Sequence, residues 1–169
     1  MYQFHYLSIC LFYSFFFFCH CPVVEIIDIH KSVDGRKLLV NVKINEQNIT
    51  LVNVYAPNKE SSRIDFFKRL KTYINIHKLY ESHVILCGDF NCNMNNMNDK
   101  STKILKECLQ ILDITDLWFD KHKDLNGFTW CDASDTPRSR IDFVFVNNDL
   151  LNQFRNILIR KIPGTHSNG

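Results

Sequence analysis

Apolar residues between Glu25 and Ala56 fall into three runs separated by turn signals, and beyond Pro57 their spacing lengthens to that of a helix. That change of period confines the chain to folds that mix strands with helices. Ile27, Ile29 and Val33 lead to the tight-turn pair Asp34-Gly35, from which Leu38–Ile44 returns, so the segment reads as a β-hairpin. A second turn at Asn45-Glu46-Gln47-Asn48 leads to a third strand, Ile49–Ala56, and Pro57 ends it by removing an amide donor. Ser62-Arg63-Ile64-Asp65 has capping-box form and predicts a helix in which Phe67, Leu70 and Ile74 share a face, reaching about Tyr80.

The remaining elements continue the mixture. A strand is expected over 83–90, a polar loop over 93–100, and a helix from Thr102 to Ile111 with Ile104, Leu105, Cys108 and Leu112 inward. Phe128–Cys131, a turn around Asp135-Thr136-Pro137, the apolar strand Arg140–Val146, a short helix at 148–154 and a last strand at 156–162 follow. With 169 residues, 46% of them apolar and 13% aromatic, the chain is one domain with a core, which excludes wholesale disorder. A formal charge of +2 and a pI near 8.1 permit a polyanionic partner without requiring one.

Seven cysteines are an odd number without framework spacing, which points to reduced thiols and an intracellular setting compatible with the nucleus. Residues 1–23 stand apart from the domain expected over 24–169. Their uncharged stretch from Leu7 to Cys19 is shorter than the ~20 residues of a membrane-spanning helix but has the length of a signal-peptide core. The secretory pathway is the alternative this leader leaves open, and the sequon Asn48-Ile49-Thr50 is compatible with it.

Polar residues gather where the predicted strands stop or start: Tyr55, Asn58, Asp89, Asn91, Thr129 and Asp142. Such rims are where α/β folds collect ligands. Asp89 and Asn91, two positions apart at the mouth of a strand, are expected to project from one face, with Gly88 allowing the backbone to bend there. Asp142, between Ile141 and Phe143, is a carboxylate that needs a partner.

The strings NVYAPN (53–58), GDFN (88–91), FTW (128–130) and SRIDFVFV (139–146), in this order, resemble the endonuclease/exonuclease/phosphatase superfamily, and within it the endonuclease domain of LINE-type retrotransposons. The resemblance implies a DNase I-like four-layer α/β/β/α sandwich and Mg²⁺-dependent hydrolysis of phosphodiester bonds in DNA. By motif, Asp89 orients and activates the attacking water, Asn91 binds a non-bridging phosphate oxygen, and Tyr55 donates its hydroxyl to developing charge. Asn58, Thr129 and Arg140 are implied substrate contacts, and Asp142 is implied to orient a histidine.

Against the family pattern, no counterpart of the first β-α-β portion, with its catalytic Asn and metal-binding Glu, is legible. The closing Ser-Asp-His is replaced by Ser167-Asn168-Gly169, so Asn168 stands at the position of the family Asp. The expectation is therefore a sandwich truncated at both ends and lacking its last strand, with no certain metal ligand, weakened Mg²⁺ binding and impaired turnover. A non-catalytic nucleic-acid-binding remnant and a secreted or membrane-associated phosphodiesterase of the same superfamily are the alternatives.

Overall fold

The computed structural model describes residues 24–44, 46–123, 127–131, 134 and 136–153. Its first half is the expected meander: β1 (Val24–Lys31), β2 (Lys37–Ile44) and β3 (Gln47–Tyr55) pair antiparallel in succession. Asp34 builds the first reversal, its Oδ1 accepting from the Ser32 hydroxyl at 2.6 Å and the Arg36 amide at 3.1 Å, while Gly35 takes a φ of +67°. The second reversal is tighter than the sequence suggests. Ile44 pairs directly with Gln47, and Glu46 accepts a φ of +67°, so β3 starts before its apolar run does.

Helix α1 (Glu60–Ile76) carries the chain back to β4 (His83–Asp89), which therefore lies parallel to β3. The capping-box reading of Ser62–Asp65 is corrected: the helix begins at Glu60 after Lys59, and Ser62 is an exposed residue of its first turn. It also stops before Tyr80, because Lys78 turns into the left-handed region at φ +48° and a single 3-10 turn, Leu79–Glu81, follows. Phe66, Phe67, Leu70 and Ile74 are buried, as the helical spacing requires.

Helix α2 (Lys100–Leu112) is capped by Asp99, whose carboxylate accepts from the amides of Ser101 and Thr102. Beyond it lie β5 (Ile114–Asp116) and α3 (Leu117–Lys121), two elements too short to show a period in the sequence. A two-stranded ribbon, β6 (Trp130–Cys131) with β7 (Pro137–Ser139), precedes β8 (Asp142–Asn147) and α4 (Asn148–Leu151). The strand expected at 156–162 lies outside the described residues.

The main sheet runs β1-β2-β3-β4-β8-β5. One face, with Val52, Val54, Leu86, Phe143 and Phe145, is covered by the apolar sides of α1 and α2. The opposite face packs Val40, Val42, Leu51, Ile85 and Val146 against Leu117 of α3 and Leu150 of α4. β3 is buried on both faces over Ile49–Val54, which explains its nearly continuous apolar run. Among the described residues, no helix is long and apolar enough to cross a membrane.

Gly88 is where this sheet admits least change. Its φ of +132° disfavours any L side chain, and a Cβ there would stand 2.0 Å from the Val54 carbonyl oxygen and 2.8 Å from Asn53 Oδ1. Gly88→Ala is expected to cost about 3 kcal/mol or more by forcing β3 and β4 apart, read as a lowered midpoint in urea unfolding.

Candidate active site

Parallel pairing sets Tyr55 beside Asp89, and antiparallel pairing sets Asp89 beside Asp142. Directly opposed residues in a sheet share a face. Tyr55, Asp89 and Asp142 thus form one row across β3, β4 and β8, on the sheet face away from α1 and α2. The ladder closes behind them: Ala56 N donates to Asp89 O at 2.8 Å and Phe90 N to Ile141 O at 2.9 Å.

The expected partnership of Asp89 and Asn91 exists, by a different geometry. Strand alternation does not bring them together, because β4 ends at Asp89 and Asn91 has a φ of +48°. The Asn91 amide instead donates to Asp89 Oδ1 at 2.8 Å, folding the two side chains into an Asx turn. Asn91 Nδ2 donates to Ala56 O at 2.8 Å, tying this turn to the end of β3. The Asn91 side chain also bears on the Asp89 carboxyl, whose charged form it favours.

Burial pushes the Asp89 carboxyl up to about 7; the Asp142 charge adds to the rise, and the hydrogen bonds from Asn91 oppose it. Asp142 is likewise raised by burial, with the Thr129 hydroxyl beside it acting in the opposite direction. Its Oδ1 is buried and finds no hydrogen-bond partner among the described residues. Tyr55 is held above its ordinary value by burial first and the Asp89 charge second, so the phenol keeps its proton near neutral pH. One row further in, burial takes the Cys87 thiol up to about 12, leaving it neutral and a poor nucleophile.

The other expected contacts are placed less simply. Thr129 Oγ1 accepts from the amides of Ile141 and Asp142 at 3.0 and 3.1 Å, so its oxygen fastens the preceding loop to the start of β8. Arg140, expected as a substrate contact, has its guanidinium paired in a bidentate fork with Asp116, 4.5 Å from the Phe143 ring centroid. Lys121 is close to Asp120 at 3.2 Å. Asn58 is exposed beyond the end of β3, and its carbonyl accepts from Arg63 at 2.6 Å. Asn168 lies outside the described residues.

Two participants were not singled out from the sequence. Arg36 Nη1 donates to the Tyr55 carbonyl at 3.2 Å, and its guanidinium lies 5.1 Å from the Tyr55 ring centroid. Its signal was its place just after the Asp34-Gly35 turn, legible only once the hairpin register was known. Asn53, beneath Tyr55, is 7% exposed, and its Oδ1 has no hydrogen-bond partner among the described residues. No local motif marks it as polar floor rather than strand filler.

A profile of the Endonuclease/Exonuclease/phosphatase family matches residues 7–161. The chain belongs to that family. The Transposon TX1 uncharacterized 149 kDa protein of Xenopus laevis is 27% identical over 153 residues, which is 85% of this chain and 12% of that protein. The mobile-element resemblance read from the motifs is thus supported, over a small part of that relative's length. Among solved structures, an AP endonuclease from Archaeoglobus fulgidus is similar with a TM-score of 0.60 and 18% identity, over 76% of this chain and 61% of that one. The Xenopus laevis APE2 catalytic domain is similar with a TM-score of 0.56 and 21% identity, over 70% and 48%. At these identities the likeness is one of fold, the DNase I-like α/β arrangement.

Between about pH 4 and pH 7 the folded chain retains a proton on Asp89 that the unfolded chain releases. Folding therefore takes up a proton in that window, and Asp89 makes the fold less stable as pH rises through it. Asp89→Asn removes this dependence while keeping an oxygen for the Asn91 amide. Thermal melts should show the variant gaining on the native chain from pH 4 to pH 7, with the difference level above.

Proposed function

We propose that the Tyr55–Asp89–Asp142 row is a phosphodiesterase centre acting on DNA with a divalent cation, Mg²⁺ by family resemblance. The observation that carries the reading is the alignment of a protonated phenol and two half-buried carboxyl groups on one sheet rim, with Asn91 folded against the central one. Mg²⁺ characteristically binds through one or two carboxylates together with substrate phosphates and water. The raised Asp89 and the unpartnered Asp142 Oδ1 fit that modest demand, and Asp89 is the residue proposed to hold the ion. When bound, the cation supplies positive charge to the phosphate oxygens. Among the described residues no group of three or more His, Cys, Asp or Glu could hold a metal ion.

The side chains divide the remaining work. A phosphodiester repels incoming nucleophiles because it is anionic, so its oxygens need donors. Tyr55, which keeps its proton, and the Asn91 side-chain amide are the donors proposed to meet them. Asp89, ionising near neutral pH, can orient a water and accept its proton. Asp142 provides a buried acceptor for an imidazole. With Arg140 engaged by Asp116, Arg36 beside Tyr55 becomes the cation best placed to meet the DNA backbone.

Nicking of supercoiled plasmid tests the reading. Mg²⁺-dependent nicking abolished by chelator is expected, at a rate that rises with pH through about 7 as Asp89 loses its proton. Asp89→Asn should slow it at least ~100-fold. Nicking unchanged in that variant would refute the assignment. Salt-dependent DNA binding with no nicking at any Mg²⁺ concentration would favour the binding-remnant reading instead.

A further inference from the structure

Behind the row of site residues, the Arg63 guanidinium is 6% exposed and every one of its three nitrogens is used. Nη1 donates to the carbonyls of Pro57 at 3.3 Å and Asn58 at 2.6 Å, Nη2 to Asp99 Oδ2 at 2.7 Å, and Nε to Ser101 Oγ at 2.8 Å. Asp99 in turn accepts the Ser101 hydroxyl and amide on Oδ1, at 2.5 and 2.8 Å. Three successive carbonyls of the loop after Tyr55 are thereby taken. Ala56 is bonded by Asn91, and Pro57 and Asn58 by Arg63. Arg63 and Asp99 also act on the buried thiol of Cys92, which follows Asn91 directly, so the cluster reaches both loops that carry site residues.

We propose that Arg63, oriented by Asp99, is a positioning residue that fixes the loop of residues 56–58 against the Asp89–Asn91 turn and so sets the spacing between Tyr55 and Asp89. The proposal rests on the reading of that row as the active site. A buried ion pair by itself adds little net stability over an apolar replacement, because two charges must be desolvated. What the pair adds here is geometry: a planar fork satisfies two adjacent carbonyls and a carboxylate at once, which a lysine ammonium does not reproduce.

The test uses the full chain with Arg63→Lys and, separately, Asp99→Asn. Amide hydrogen exchange at Ala56 and Asn91, whose N–H groups bond Asp89, should accelerate about tenfold in each variant, the loss of one charge-assisted hydrogen bond. Exchange at Leu70 and Ile74 in α1 should stay within twofold of the native chain. In plasmid nicking, kcat should fall about tenfold with KM within twofold, since substrate contacts remain but their alignment does not. Unchanged exchange at Ala56 and Asn91, or acceleration shared equally by α1, would overturn the proposal. The exchange measurement decides this even for a chain that does not nick DNA, and so separates the failure of this inference from failure of the functional reading.

Discussion

The close approach of β3 and β4 at Gly88 is the constraint from which the site follows. With a side chain at that position the Val54 carbonyl would have to move, and the register that sets Tyr55 opposite Asp89 would open at its functional end. β8 then pairs along the other edge of β4 and brings Asp142 to the same row. Three residues 34 and 53 positions apart in sequence become neighbours through backbone pairing, which passes through one position that tolerates only glycine.

That row is held at a cost in solvation. Asp89 and Asp142 are both half-buried, next to one another, and both are shifted toward the neutral form. Desolvating two adjacent carboxyls, one of them with an unpartnered oxygen, opposes folding. Under the reading proposed above, ionisation of Asp89 near neutral pH would make that carboxyl available to the reaction. The apolar cluster of Phe66, Phe67 and Phe90 beneath, and the Arg63–Asp99 pair beside it, supply the rigidity that keeps the row in register.

Much of the architecture was legible because its elements are long and strongly patterned. The three-strand meander, the two helices over the sheet and the apolar strand containing Asp142 all have runs long enough for period to show. Where interaction outran pattern, the reading failed. β5 and α3 are three and five residues long, and they are defined by pairing with β8 and by Asp116 capping the helix. The Ser62–Asp65 capping signal lost to a helix start set by Arg63, whose buried guanidinium holds the two carbonyls just before it. Nothing local announces that Asp116, 24 residues earlier, takes the Arg140 fork.

The sequence by itself determined the class of fold, the family, and which residue types stand at the strand ends, since all three depend on local period and on motifs readable in a single pass along the chain. Only the tertiary structure decided how those residues meet. It joined Asp89 to Asn91 by an Asx turn rather than by strand alternation, turned Thr129 to fastening β8, paired Arg140 with Asp116 and brought Arg36 to Tyr55. The physical reason is that hydrogen-bond partners and desolvation are properties of distance in space, and here the decisive partners lie between 2 and 53 residues apart along the chain.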